Sequence, residues 1–188
     1  MVKPMVAAST PGRQASPVFL EFDEIEEGTT DLALEVAAAE LELEDDQLVF
    51  SQPLKVGLRI DRCLEMYTVS GRVHYCVEGT CARCLTAATE AVEVPLRFLF
   101  QRRQASQEEL DAVEDEDIEI FDPGASGVDL KEYLREELIL ELPLRLYCQP
   151  DCKGLCAQCG ADLNSDVCSC GQQESDPRWA ALKDIKFS

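Results

Sequence analysis

Residues 54–77 read LKVGLRIDRCLEMYTVSGRVHYCV. Leu54, Val56, Leu58 and Ile60 alternate with Lys55, Gly57 and Arg59, the two-residue period of a strand that buries one face. Residues 64–77 are rich in β-branched and aromatic types, which suit a pleated, half-buried surface. Gly71 inside this run predicts a bulge or a close approach of two backbones. Glu78-Gly79 signals a turn. Residues 91–100, AVEVPLRFLF, predict a further strand. Pro95 has no N–H to give to a ladder, which places it at an edge or a bulge. Adjacent strands joined by short links predict an antiparallel sheet or a partly closed β-barrel.

Outward from this sheet the pattern changes. Residues 18–22 predict a short strand. In residues 31–44, DLALEVAAAELELE, the alternation of Leu32, Leu34 and Val36, and of Leu41 and Leu43, predicts two strands around the small residues Ala37–Ala39, which themselves favour helix. Residues 129–142 predict an amphipathic helix packed on the sheet. Asp129 stands at the N-cap, Glu132 in the capping-box position, and Val128 before the cap as a staple. Leu130, Tyr133, Leu134 and Leu138 form the apolar stripe, and Pro143 stops the helix. The fold class is therefore α+β. Residues 1–17 form a flexible tail, and 18–147 a core domain with a polar, acidic loop at about 101–127. Residues 148–188 form a cysteine-rich module and a docking tail, in which Trp179, Leu182 and Ile185 share one face of a short final helix.

The chain has 188 residues and a net charge of −20. Residues 21–46 carry twelve acids and no base, and residues 104–141 carry fourteen acids and two bases. Between them, residues 55–103 carry eight bases and five acids. Such a chain is a poor candidate for broad, non-specific phosphate binding. The acidic blocks suit either solubility or a basic protein partner. No segment has the ~18 apolar residues of a membrane span. Residues 1–17 lack the apolar core of a signal peptide, which predicts a cytoplasmic protein, or a plastid one if they are a targeting remnant.

Six of the ten cysteines lie in residues 148–170, CQPDCKGLCAQCGADLNSDVCSC. Cys156-x-x-Cys159-Gly160 has the form of a zinc knuckle: two thiolates grip one ion from a tight turn, and Gly160 allows the positive φ the turn needs. Cys168 and Cys170 offer a second pair, Cys148 and Cys152 a third. Structural zinc takes four ligands, so six overfill one site. The reading is one ion on Cys156, Cys159 and two of the other four, or two ions sharing bridging thiolates. A disulfide cluster is the alternative, and ten cysteines without an export signal argue for metal-bound thiols.

Cys81-Ala-Arg-Cys84 is a second pair at the same spacing. It suits a second metal with Cys63 or Cys76, contact with the C-terminal cluster, plain packing, or redox chemistry in which Arg83 lowers a thiol pKa. His74, the lone histidine, reads as an ordinary strand residue. There is no GxSxG, Walker loop, GxGxxG or HExxH, and no carboxylate cluster at metal-ligand spacing, so nothing points to an enzyme or a small-molecule substrate.

Three stretches together resemble the YceD family, the large ribosomal RNA subunit accumulation proteins. They are Val69-Ser-Gly-Arg-Val73 followed by Cys81-Ala-Arg-Cys84-Leu85; residues 129–143, DLKEYLREELILELP; and residues 152–164, CKGLCAQCGADLN, with Cys168-Ser-Cys170 and residues 176–182, DPRWAAL. The resemblance covers about residues 50–185. It implies a cytoplasmic or plastid protein needed for large-subunit rRNA to accumulate, through processing or ribosome assembly, with no established catalytic residues. Some members resemble this chain at the first Cys-x-x-Cys but lack the C-terminal cysteines. That implies that the zinc module stabilises, and that Arg83 with its flanking Cys81 and Cys84 is the shared functional feature; Arg72, an arginine of the predicted strand, is a further candidate contact to RNA or a partner.

Two functions follow as expectations. The first is a non-enzymatic factor that binds an rRNA precursor or assembly intermediate, with the acidic blocks meeting a basic ribosomal protein. The second is a thiol-based redox enzyme or sensor using Cys81 and Cys84.

Overall fold

A computed structural model describes residues 16–104 and 118–170. The alternating stretches form one open, twisted sheet. Strands β2 (Gly28–Val36), β4 (Leu54–Cys63), β5 (Met66–Thr80) and β6 (Ala87–Arg102) lie side by side in that order, all antiparallel. A two-residue strand, β3 (Val49–Phe50), pairs with the far end of β5, and β7 (Ile118–Phe121) adds to β6 in parallel at the opposite end. The N-terminal β1 (Phe19–Glu21) pairs with β8 (Gly127–Asp129) as a separate two-stranded clasp.

The alternation in β4 is realised residue by residue: Leu54, Val56, Leu58 and Ile60 are buried, and Lys55, Gly57 and Arg59 are exposed. Tyr67, Val69, Val73, Tyr75 and Val77 of β5, with Val94, Leu96 and Phe100 of β6, continue the buried face. The helix α1 (Lys131–Leu140) covers it with Leu134 and Leu138, both fully buried, and sets the Tyr133 ring 5.6 Å from Phe98 and 5.3 Å from Phe100. This is the expected α+β fold, and an open sheet rather than a closed barrel. Among the described residues no helix is long and apolar enough to cross a membrane.

Gly71 is a close approach and not a bulge. The register runs unbroken through it, with Leu58 on one side and Leu96 on the other. A β-carbon at Gly71 would lie 2.2 Å from the Gly57 carbonyl oxygen. Pro95 pairs with Arg72 on one side, and β7 joins β6 only from Leu99 onward, so the missing N–H falls on free edge, as expected.

Two expectations are corrected. Only the first of the two strands in residues 31–44 forms. After Val36 the chain makes a 3-10 turn over Ala38–Leu41 that buries Leu41, and Glu42 then takes a left-handed φ of 53°. Burying Leu41 and Leu43 on a turn under α1 outweighs continuing the ladder. The helix starts one residue later than the cap pattern suggests. Asp129 belongs to β8, and its carboxylate accepts a bond from the Lys131 N–H at 3.0 Å. The expected capping box is absent: Leu130 is the N-cap and makes no side-chain capping bond. Leu130 is instead buried, its N–H donating to the Val18 carbonyl at 3.1 Å beside the β1–β8 clasp. The helical reading of the C-terminal tail, and residues 105–117 of the acidic stretch, lie outside the described residues.

Candidate metal centres

β5 ends at Thr80, and the turn that returns the chain to β6 carries Cys81 and Cys84. After α1 the chain runs back along this turn. Leu146 bridges to Cys81, and its carbonyl accepts the Ala82 N–H at 2.8 Å. That pairing delivers Cys148 and Cys152 to the two knuckle cysteines. The Sγ atoms of Cys84 and Cys148 are 3.5 Å apart, those of Cys81 and Cys152 3.9 Å. A second group forms within the C-terminal loop, where Cys168 lies 3.3 Å from Cys156 and 3.6 Å from Cys159, with Cys170 alongside. In each group all four sulfurs lie within 4.8 Å of one another.

The donor chemistry fits a tetrahedral ion. Zn–S bonds of about 2.3 Å place the sulfurs at the corners of a tetrahedron with edges of about 3.8 Å. The observed separations cluster there and are far from the ~2.05 Å of a disulfide. All ten cysteines are unbridged.

Both knuckles are the same turn. The Leu85 N–H returns to the Cys81 carbonyl at 3.0 Å, and the Gly160 N–H to the Cys156 carbonyl at 2.9 Å. Leu85 has φ 63° and Gly160 φ 74°. The turn aims backbone N–H groups at its first sulfur. At Cys156, N–H groups of Cys159 and Gln158 hold the thiol down to about 6. At Cys81 burial opposes the charge, but N–H groups of Cys148, Cys84 and Arg83 outweigh it and again bring the thiol to about 6. Cys84 is lowered, chiefly by Thr86. The partners go the other way: hydrogen bonding to Cys84 pushes Cys148 up to about 12, and hydrogen bonding to Cys159 pushes Cys170 up to about 12. Four thiols this close oppose one another's ionisation, a conflict that a dication replacing their protons would relieve.

Cys156 and Cys159 lie with two of the other four C-terminal cysteines, Cys168 and Cys170, and the remaining pair realises one of the options read for Cys81-Cys84, contact with the C-terminal cluster, with no sulfur shared between the groups. Cys148 and Cys152 do not complete the site of Cys156 and Cys159. They join Cys81 and Cys84, and neither Cys63, exposed at the end of β4, nor Cys76 on β5 belongs to a group. Arg83 does not reach outward. Its guanidinium donates to the carbonyls of Pro150 at 3.2 Å and Cys152 at 2.9 Å, and stacks on Tyr147 at 4.7 Å. Arg72 stays on the solvent face of the sheet, paired with Glu93 at 2.9 Å, and His74 shares that carboxylate at 3.4 Å.

The sequence reading missed Asn164 and Thr86. Asn164 accepts the Lys153 N–H at 2.8 Å and donates to Cys152 Sγ at 3.4 Å. Such outer contacts orient metal ligands. Its place in the Leu-Asn pair after the second knuckle was the available signal. Thr86 Oγ1 lies 3.1 Å from Cys84 Sγ.

Sheet, helix and two four-thiol groups define a class of protein: a strand scaffold whose C-terminal loop module is fastened to the β5–β6 turn. Residues 69–186 match the family described as large ribosomal RNA subunit accumulation protein YceD, and the chain belongs to that family. An uncharacterized protein of Mycobacterium bovis is 36% identical over 132 residues, 70% of this chain and 61% of that protein. The large ribosomal RNA subunit accumulation protein YCED homolog 1, chloroplastic, of Arabidopsis thaliana is 28% identical over 156 residues, 71% of this chain and 49% of that protein. An uncharacterized protein of Bacillus subtilis is 27% identical over 120 residues, 63% of each chain. The chain thus spans about three fifths of the length of the mycobacterial relatives it matches. No solved structure is significantly similar to it.

Proposed function

We propose that this protein is a non-enzymatic factor that supports accumulation of large-subunit rRNA by binding an rRNA precursor or an assembly intermediate. In this reading each four-thiol group holds one structural zinc ion. The observation that carries the non-enzymatic reading is the composition of the first group. Cys81 and Cys84, the thiols a redox enzyme would need free, lie among Cys148 and Cys152. A closed four-thiolate site leaves no open position for chemistry.

The contact surface we assign to RNA is the solvent face of β4–β6. Arg59 and Arg97 flank Ser70 in one row across three strands, and Arg72 lies in the next row along. Arg59 and Arg72 are tied to Asp31 and Glu93 by exposed ion pairs. Such pairs are weak and can exchange for phosphate. Arg97 has no acidic partner among the described residues. The acidic blocks on either side restrict phosphate binding to this face and suit a basic ribosomal protein as a second partner. Reduced, metal-bound thiols fit the cytoplasm, or the plastid stroma.

The test is gradient sedimentation of a lysate with crosslinking and sequencing of bound RNA. Co-migration with large-subunit precursors, and crosslinks at one rRNA region that Arg59→Glu with Arg97→Glu abolishes, is the expected result. Migration as free protein without crosslinks overturns direct binding.

A further inference from the structure

A groove of about 840 Å³ runs between the loop at Asp45–Leu48, the first knuckle and the chain leaving α1. Leu85, Ile139, Leu142 and Leu144 form its apolar side. Nine large apolar residues are exposed among the described residues, and four of them meet here: Leu85 at 65%, Leu144 at 98%, Ile139, and Leu140 next to Ile139. Clustered apolar exposure of this kind marks a contact surface.

Leu85 adds a second, independent observation. It holds the left-handed position of its knuckle at φ 63°, where the sister knuckle has Gly160 at φ 74°. Glycine takes that backbone without strain, and a residue with a β-carbon does not. Its exposure means that burial within the described chain offsets little of the strain. The knuckle alone gains nothing from a leucine at this position; a partner that covers the side chain does.

The rim sets the charge of that partner. Asp45 is engaged in its own turn, its carboxylate accepting the Gln47 and Leu48 N–H groups at 2.8 and 2.9 Å. Asp46 is exposed beside it, and its carboxylate makes no hydrogen bond or ion pair among the described residues. Glu44 and Glu141, next to groove residues in the chain, are exposed as well, against Arg145 as the one base on the lining. A second copy would bring the same acidic rim, and a net charge of −20 on each chain opposes self-association.

We propose that the occupant is a segment of a basic protein, which seats large apolar side chains on Leu85, Ile139 and Leu144 and sets lysine or arginine against Asp46. The assignment rests on the reading above, in which a basic ribosomal protein is the second partner. It gives that partner a site that includes neither Arg59, Arg72 nor Arg97 of the sheet face. Apolar anchors would supply the affinity there and the acidic rim the selection for a basic chain.

The test places a photoreactive phenylalanine analogue at position 144 of the full-length protein. The probe is the mixture of proteins released from purified large ribosomal subunits by concentrated lithium chloride. The expected result is a crosslink to a basic protein that weakens as salt rises and falls by about 10-fold in Leu85→Gly and in Asp46→Lys. Leu85→Gly should unfold at a temperature no lower than the parent, which separates a contact from a structural role. Leu64→Gly should leave the crosslink unchanged: Leu64 is also left-handed and 73% exposed, but lies in the β4–β5 turn. Absence of a basic protein from the crosslinks, or a yield indifferent to both groove variants, overturns the proposal. So does a crosslink to a second copy, to added rRNA precursor, or within the same chain, each of which assigns the groove to that occupant instead. Co-sedimentation with large-subunit precursors without a groove crosslink overturns this proposal alone. A groove crosslink without RNA crosslinks overturns only direct RNA binding.

Discussion

Arg83 donates to the backbone carbonyl of Cys152 at 2.9 Å. The residue between the first two thiols of one group thereby grips the loop that brings the other two. Arg83→Ala should weaken metal retention at the first group by about 10–100-fold, the usual effect of losing an outer-shell contact. Competition with a chromophoric chelator measures it. Unchanged retention, with loss of RNA crosslinks instead, would return Arg83 to the role of an outward-facing contact.

The two thiol groups should fail differently. The purified protein is expected to carry two zinc ions. Cys152→Ser and Cys159→Ser should each lose one, read by native mass spectrometry. Cys159→Ser unfastens only the loop beyond Leu155 and should leave the sheet's thermal transition nearly in place. Cys152→Ser releases the module from the β5–β6 turn and should lower that transition clearly. Structural zinc is worth on the order of 10 kcal/mol in small domains. Equal effects of the two substitutions would contradict this division.

Tyr67 is fully buried between the Phe22 ring at 4.6 Å and the Arg62 guanidinium at 5.3 Å. Its hydroxyl has no hydrogen-bond partner among the described residues. An unsatisfied buried polar group costs about 1–3 kcal/mol. Tyr67→Phe should therefore raise stability, by about 1 kcal/mol, in urea unfolding. A loss of stability would show that the hydroxyl has a partner, such as a buried water.

Two neighbouring glycines should respond in opposite ways. A methyl at Gly71 meets the Gly57 carbonyl oxygen at 2.2 Å and Leu58 Cδ2 at 2.9 Å, whereas a methyl at Gly57 has nothing nearer than 3.9 Å. Gly71→Ala should cost about 3 kcal/mol, the upper range for overpacking. Gly57→Ala should be neutral or slightly stabilising. Unfolding midpoints of the pair decide it.

The sheet was legible because its signal is local. Leu54, Val56, Leu58 and Ile60 state their burial by alternation alone, and Pro95 states its edge by lacking a donor. The turn at Ala38–Leu41 was not legible, because Leu41 and Leu43 keep the strand period while the helix above them demands a different backbone. Asp129 was read as a cap, and its carboxylate does accept the Lys131 N–H; what its spacing to Glu132 did not show is that the clasp with Phe19, 110 residues away, also holds its backbone in a strand. The knuckle at Cys156 was visible in its own spacing and its glycine. For Cys81 and Cys84 contact with the C-terminal cluster was one option among several; which of its cysteines they meet was not legible, since Leu146 pairing beside Cys81 is a property of the folded sheet.

That difference also sets an order of events. The second thiol group draws its ligands from a span of fifteen residues, 156–170. It can close as soon as that short loop exists, before any strand has found its neighbour. The first cannot exist until β5 has turned into β6, α1 has docked and residue 146 has come to lie against residue 81. An ion held there would arrive last. Its capture would certify that the scaffold is complete, and if each group takes an ion, a chain that has mispaired its strands would carry one where a finished one would carry two.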